Sequence, residues 1–335
     1  MKYKVSICVP IFGVEGYIER CAKSLFEQTY DNIEYVFVDD KSTDKSIELL
    51  EAMILQYPLR KDDIKIVKHN VNRGLAAARN TAVEHATGEF ILHVDSDDWI
   101  DITCVEKLIK KQKEDSAEII SFEGFSVFLD YKEKITFPDY VSPKDMCMRL
   151  LSGSICANVW AMLIKRSLYV DNNLKVIEGY NMGEDRQITP KLAFFATKVS
   201  TLHECLYYYE CRNIKSYTNS FSEEKCRQKL KSRKVLFDFF LDKGPEYLEA
   251  LEKGECIFVL GEVIQTSRMD DLTWCKHFLN KFHQYEKRMI MKIPITKRII
   301  YYLDNVYMVK WYVAILTKVK HFGQIVYGFF FLRST

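Results

Sequence analysis

The first hundred residues alternate short apolar runs with helical patterns, and this alternation limits the chain to few folds. Val5–Val9, Tyr35–Val38, Ile64–Val67 and Phe90–Val94 are runs of four or five largely apolar residues, as in buried strands. Helical patterns lie between them, among them the Ala-rich segment Leu75–His85. Apolar strands separated by helices predict an α/β fold, a mainly parallel sheet flanked by helices on both faces.

The later part of the chain is less regular. Residues 143–172 predict mostly helix around Trp160, a helix is expected to begin at Glu184, and 199–209 predicts a strand. From 222 onward the pattern is helical to the end. We therefore expect an α/β domain over residues 1–220 and a helical C-terminal region over residues 221–335.

Acidic residues follow two of the predicted strands. Asp39 and Asp40 follow Val38, and Asp95 and Asp97 follow Val94. In an open α/β sheet, ligands bind beyond the carboxyl ends of the strands. We therefore expect both acidic pairs to face one cleft.

The spacing Asp95-x-Asp97 allows two carboxylates on a turn to face one divalent cation. Mg²⁺ and Mn²⁺ prefer oxygen ligands and often share them with substrate phosphates. The alternative is a solvated acidic turn that caps the helix after Trp99. His203, which lies late in the chain beside a strand, is a further candidate ligand.

The other acidic pairs also allow two interpretations each. Asp40 could cap the next helix, or accept the imide N–H of a uracil ring at the sheet edge. Glu184 and Asp185 could simply stabilise the positive end of a helix dipole. Alternatively, a helix N-terminus would keep Asp185 ionised, as a general base requires.

Six segments in this order resemble glycosyltransferase family 2, the inverting nucleotide-sugar transferases with the Rossmann-like GT-A fold. The resemblance covers roughly residues 3–220, and Phe12-Gly13 stands where the family usually has Tyr-Asn. The segments are residues 5–12, Gln28-Thr29-Tyr30, residues 38–44, residues 72–80, residues 95–99 and Glu184-Asp185, followed by Tyr207-Tyr208-Tyr209 with Arg212.

The resemblance implies a sugar transfer from a nucleotide-diphosphate donor, of which a UDP-sugar is favoured, to a hydroxyl of a glycan or lipid-linked glycan. It implies a single inverting displacement with Asp185 as the base and Mn²⁺ or Mg²⁺ on Asp95 and Asp97. Glu184 is a further candidate. The implied donor-binding residues are Pro10, Phe12, Asp39, Asp40, Arg79, Asp95, Ser96 and Arg212.

The net charge of +2 gives no overall field that would attract nucleic acid. The charge is uneven, however, because residues 287–335 hold nine Lys or Arg, ten aromatic residues and a single acid, Asp304. This segment is either a helical cap on the fold or an interfacial segment that contacts an anionic membrane. The second interpretation places the active site beside a lipid-linked acceptor.

The ten cysteines form no Cys-x-x-Cys pair, which favours buried thiols in a reducing compartment. No run of 18 uncharged apolar residues occurs, so we expect no membrane span, and the first residues do not resemble a signal peptide. The expected location is cytoplasmic, with peripheral contact at the inner face of the membrane.

Three other functions fit parts of the pattern. A nucleotide-sugar-binding protein without transfer activity would keep the cleft but would need no base. A response-regulator-like module also clusters acids at strand ends, but it needs an acid after its third strand, where this chain has Val67-Lys68-His69. A nucleotidyltransferase would need a basic Gly-rich loop, and Gly13-Val14-Glu15-Gly16 has no basic residue.

Overall fold

The computed structural model describes residues 2–213, 222–291 and 293–331, with side chains as far as residue 318. The chain divides into two compact units, one of Met1–Leu150 with Ile155–Lys243, and a second of Leu151–Ser154 with Gly244–Thr335. The boundary expected near residue 220 falls in 214–221, outside the described residues. The helix after that gap belongs to the first unit.

The first unit is built from strands and helices in alternation, as the sequence predicts. Its strands are β1 (Val5–Ile11), β2 (Ile33–Asp39), β3 (Ile64–Lys68), β4 (Phe90–His93), β5 (Trp99–Ile100), β6 (Ile119–Val127), β7 (Lys132–Ile135), β8 (Met162–Lys165) and β9 (Val199–Glu210). Its helices are α1 (Ile18–Phe26), α2 (Ser46–Gln56), α3 (Leu75–His85), α4 (Cys104–Asp115), α5 (Pro143–Leu151), α6 (Arg166–Val170), α7 (Glu184–Phe195) and α8 (Glu223–Phe240).

One sheet runs through the first unit in the order β3-β2-β1-β4-β8-β6-β9-β5, with β7 added beside β6. The first four strands are parallel, and β1 is fully buried between β2 and β4. Ile11 pairs with Asp39, so the carboxyl ends of β1 and β2 lie side by side. The predicted α/β class with a mainly parallel sheet and flanking helices is confirmed for this half, whereas strands on the other side of β4 pair in both directions.

The prediction of mostly helix over 143–172 is wrong at Met162–Lys165, which forms strand β8. This strand pairs antiparallel with β4 and with β6. A short run of largely apolar residues does not distinguish a buried strand from a helix by periodicity alone. The tertiary pairing therefore decides its conformation.

The second unit is helical, as predicted. Besides a 3₁₀ turn at Ile299–Tyr302, its helices are α9 (Pro245–Thr266), α10 (Thr273–His283), α11 (Lys287–Ile290), α12 (Ile295–Arg298) and α13 (Val306–Phe331). Among the residues that the structure describes, no helix combines the length and apolar character needed to cross a bilayer.

Candidate active site

The turn after β2 uses its two aspartates differently. Asp40 is 3% exposed, and its carboxylate accepts hydrogen bonds from the backbone N–H groups of Arg73 (2.8 Å) and Gly74 (2.7 Å). Nδ1 of His69 lies 2.7 Å from the same carboxylate. Asp40 therefore fixes the segment that leads into α3. The carboxylate of Asp39 accepts a hydrogen bond from the N–H of Ser42 at 2.8 Å, and Asp39 is slightly more exposed, at 9%.

An exposed aromatic side chain stands next to this turn. Phe12 follows β1 directly and is 52% exposed, while the β1–β2 pairing places Asp39 opposite Ile11. The N–H of Gly13 donates to Oγ of Ser42 at 3.2 Å, which holds the two turns together. Pro10 is buried in β1. An open aromatic face beside an acid suits a planar base.

The turn after β4 is held to strand β9 by buried hydrogen bonds. The hydroxyl of Tyr207 accepts from the N–H of Asp95 (3.0 Å) and donates to Oδ2 of Asp98 (2.7 Å). The N–H of Glu210 donates to the other oxygen of Asp98 at 2.7 Å. Burial, with the charges of Asp97 and Asp95, raises the pKa of Asp98 well above its usual range. Asp98 therefore positions the turn and is not available to a ligand.

Removing the Tyr207 hydroxyl is expected to destabilise the fold. In Tyr207→Phe the ring can still stack on Trp160, whose centroid is 4.2 Å away, but Asp98 loses one of its two donors. A buried acceptor without its donor costs about 1–3 kcal/mol, so we expect the free energy of unfolding in urea to fall by about 2 kcal/mol. Tyr208→Phe, beside it and stacked on Trp99, is the control and should change little. Equal stabilities of the two variants would contradict this role.

Asp97, one of the two predicted metal ligands, is held in place through its side chain and its backbone. Its Oδ2 accepts from Nδ2 of Asn213 at 2.9 Å, and its backbone carbonyl accepts from Arg20 at 2.6 Å. Burial raises the pKa of Asp97 to about 6, and the charge of Asp95 adds to the shift. A cation bound here would offset the negative charge of the two carboxylates.

The donor set fits a divalent cation shared with a substrate. In the described part of the chain, no three acidic, His or Cys side chains gather closely enough to hold a metal alone. Magnesium-like ions, however, are commonly bound by one or two carboxylates together with substrate phosphates and water. Asp95 and Asp97 supply that number of carboxylates, two residues apart on one fixed turn.

Arg79 brings acids from two distant parts of the sequence together. It is 5% exposed on α3, and its guanidinium lies 2.9 Å from Oδ1 of Asp95. The same group lies 3.5 Å from Glu184 and 3.6 Å from Asp185. The predicted base and one of the two predicted metal ligands, Asp95, are therefore neighbours across one buried guanidinium.

Asp185 lies in the first turn of α7, after Gly183 at φ +83°. Its Oδ2 accepts from the N–H of Val159 at 3.2 Å, whereas Oδ1 makes no hydrogen bond in the described part of the chain. Burial raises the pKa of Asp185 to about 6, while Arg79 opposes the shift. Burial and the charge of Asp185 raise the pKa of Glu184 further, to about 8. Burial therefore makes this pair take up a proton more readily than exposed carboxyls do.

The remaining predicted residues are engaged elsewhere. Arg212 is half-exposed and pairs with Glu210, which also binds Arg20 at 2.8 Å. His203 lies between Glu123 (3.2 Å) and Asp139 (3.0 Å), and these carboxylates raise its pKa, which disfavours the neutral form that a metal requires. Ser96 is buried in the turn after β4. The roles of these residues stay predictions.

Sequence reasoning did not assign roles to four residues of this site. Tyr207 and Asp98 both lie in quoted segments, so a search for partners of buried acids could have found them. Asn213 follows Arg212 directly. Arg20, which donates to the backbone carbonyl of Asp97, lies on α1 in an ordinary amphipathic pattern. Nothing in that pattern indicates this contact.

Comparison with known proteins gives the family. A family model described as Glycosyl transferase family 2 matches residues 6–169. The glycosyltransferase GlyG of Streptococcus pneumoniae is 30% identical over 230 residues, which cover 64% of this chain and 72% of GlyG. The chain belongs to glycosyltransferase family 2. The predicted membership is thereby confirmed.

Other relatives extend beyond the region that they share with this chain. The poly(ribitol-phosphate) beta-glucosyltransferase of Bacillus spizizenii is 31% identical over 217 residues, covering 62% of this chain and 32% of that protein. The chain spans about 60% of the length of two Bacillus subtilis relatives. The crystal structure of S. aureus TarS 1–349 in complex with UDP-GlcNAc matches with a TM-score of 0.70 at 20% identity, covering 92% of this chain and 89% of that one. This likeness confirms the predicted GT-A fold.

Proposed function

We propose that this chain transfers a sugar from a UDP-sugar to a hydroxyl group of a glycan or lipid-linked glycan, with inversion at the anomeric carbon. The observation that supports it is the cluster around Arg79, where Asp95 and Asp185 lie within 3.6 Å of one guanidinium. Family membership supports the reaction class. TarS has been solved in complex with UDP-GlcNAc, which supports a UDP-sugar donor. A relative is named poly(ribitol-phosphate) beta-glucosyltransferase, which supports a polymer acceptor.

The nucleoside would lie at the carboxyl ends of β1 and β2. Phe12 offers an exposed ring for stacking, with Pro10 behind it in the strand. Both oxygens of Asp40 already accept hydrogen bonds from the chain, so Asp39 is the better acceptor for an imide N–H. Asp40 would then act by fixing the turn. Ser96 and Arg212 would border the diphosphate.

Asp95 and Asp97 would hold Mn²⁺ or Mg²⁺ together with the diphosphate. The bound metal supplies charge neutralisation for the leaving nucleoside diphosphate. Arg79 keeps Asp95 in place through the 2.9 Å ion pair. Asn213 keeps Asp97 in place through its amide.

Asp185 would act as the general base. The acceptor hydroxyl gives its proton to Oδ1 of Asp185 while its oxygen bonds the anomeric carbon from the face opposite the leaving diphosphate. One displacement of this kind inverts the centre and needs no enzyme nucleophile. Oδ1 makes no hydrogen bond among the described residues and lies 3.6 Å from Nε of Arg79, whereas the other oxygen is held by Val159, so we assign the proton to Oδ1.

The pH dependence follows from the state of Asp185. A carboxyl base works only when it is ionised, and burial raises its pKa to about 6. We therefore expect kcat to rise from pH 5 to about pH 7 and to fall about tenfold per unit on the acid side. The assay uses saturating donor and Mn²⁺, so that the titration of Asp97 does not contribute to the pH profile of kcat. A kcat that stays constant from pH 5 to 8 would contradict the assignment.

The decisive experiment for the function is a screen of UDP- and GDP-sugars for Mn²⁺-dependent thermal stabilisation, followed by an assay for release of the nucleotide. Stabilisation with release supports transfer. Stabilisation without release, with any acceptor, would support a nucleotide-sugar-binding protein instead. No stabilisation by any nucleotide sugar would contradict the proposal. A cytoplasmic or membrane-peripheral location stays part of the proposal.

A further inference from the structure

We propose that the second unit carries a docking surface for a bilayer rich in anionic phospholipid. The surface consists of exposed side chains between residues 291 and 315, and we call it the C-terminal apolar surface. Its members are Met291, Ile295, Ile299, Tyr302, Tyr307, Met308, Trp311 and Ile315. They make up eight of the 21 exposed large apolar side chains in the described residues, although they come from a 25-residue segment.

The outward face of α13 is apolar where a surface helix is usually polar. Val309 and Val313 form its packed stripe and are at most 3% exposed. The opposite stripe presents Tyr307 at 70% and Trp311 at 68% exposure, with Ile315 one turn further on. At 100° per residue these two stripes lie on opposite sides of the helix. Over the side chains that the structure describes, both faces of α13 are therefore apolar, but only the stripe of Val309 and Val313 is buried.

The segment before α13 continues the same pattern. Ile295, Ile299 and Tyr302 follow one another at helical spacing and are 71%, 41% and 60% exposed. Ile300, between them, is fully buried. Clusters of exposed apolar residues on soluble proteins generally mark interaction surfaces.

The charges around this surface indicate which partner covers it. From residue 287 to 318 the chain has seven Lys or Arg and one acid, Asp304. Lys297 and Lys318 are exposed on the same helical segments. Arg298 donates to the carbonyls of Met291 and Ile293, which fixes its positive charge beside the surface. Basic residues beside exposed Trp, Tyr and Ile are the composition of an interfacial helix on anionic lipid.

This inference does not rest on the proposed function, because it depends on a different unit of the chain. It names the residues that would give the chain the membrane-peripheral location included in that proposal. A protein held on a bilayer meets lipid-linked acceptors at the membrane surface.

Vesicle flotation of the full chain tests the docking surface. The chain should float with vesicles of phosphatidylcholine mixed with phosphatidylglycerol and not with phosphatidylcholine alone, and raised salt should release it. Lys297→Gln with Lys318→Gln should weaken partitioning about 25-fold, since each basic residue contributes about fivefold. Lys61→Gln with Lys113→Gln removes two exposed basic residues from the first unit and should leave flotation unchanged.

The apolar part has its own pair of variants. Met308→Ser with Trp311→Ser should weaken partitioning at least about tenfold. Leu59→Ser with Leu129→Ser removes side chains that are 95% and 82% exposed elsewhere, and should have no effect. Unchanged flotation of the Trp311 variant would overturn the proposal. So would a dimer in sedimentation that this variant dissociates, because a second copy would then cover the surface.

Discussion

Asp185→Asn is expected to lower kcat by about a thousandfold while the Kd for UDP with Mn²⁺ changes less than about threefold. A general base contributes about 10²- to 10⁴-fold to the rate, and asparagine cannot accept the proton of the acceptor hydroxyl. Its side-chain oxygen can still accept from the N–H of Val159. The variant therefore removes the proton acceptor and retains the local structure.

Glu184→Gln is the matched control for this variant. Glu184 precedes Asp185 on α7 and contacts the same guanidinium of Arg79. Because burial and the charge of Asp185 raise its pKa, the protonated form of Glu184 is favoured, and glutamine resembles that form. We expect kcat within about fivefold of the native value. A large loss in Glu184→Gln with none in Asp185→Asn would exchange the two roles.

Asp97→Asn is expected to abolish the Mn²⁺-dependent part of UDP binding, with a Kd at least about 100-fold weaker in calorimetry. Asn213 can still donate to the asparagine oxygen, so the turn is retained. If Asp97 only repelled the diphosphate, its neutralisation would instead tighten UDP binding. The sign of the change therefore separates a ligand from a merely acidic neighbour.

Asp62→Asn removes one exposed acid far along the chain from the β4 turn and is the control for charge. Its UDP affinity with Mn²⁺ should equal that of the native chain. Native UDP binding should also weaken when a chelator removes the metal. If Asp97→Asn binds UDP with Mn²⁺ at the native affinity, and a chelator weakens this binding as in the native chain, Asp97 is excluded as a ligand.

The parallel half of the sheet can be predicted from the sequence because its strands are apolar runs separated by helices. The Ala-rich pattern predicts a helix over Leu75–His85, and these are the bounds of α3. The strand β8 cannot be predicted in this way, since its conformation depends on pairing with β4 and β6. The sequence pattern alone predicts an element only where the element is long enough for its hydrophobic period to be recognised.

The site can be predicted in part. Carboxyl ends of parallel strands meet at one edge, and this rule alone places Asp39 and Asp95 near each other. Asp95 and Asp185 come together because both pair with Arg79 on α3. No spacing in the sequence shows which acids Arg79 pairs with. The hydrogen bond that Asp40 accepts within the chain also depends on a loop 33 residues away, at Arg73. Such long-range hydrogen bonds have no local signal.

A crystal structure with UDP and Mn²⁺ tests the central claim most directly. We predict an anomalous Mn²⁺ peak on Asp97 and the diphosphate, uracil beside Phe12 and Asp39, and the carboxylate of Asp185 within reach of an acceptor hydroxyl above the diphosphate. UDP bound away from Asp97, or a metal peak on other residues with the β4 turn empty, would contradict the account.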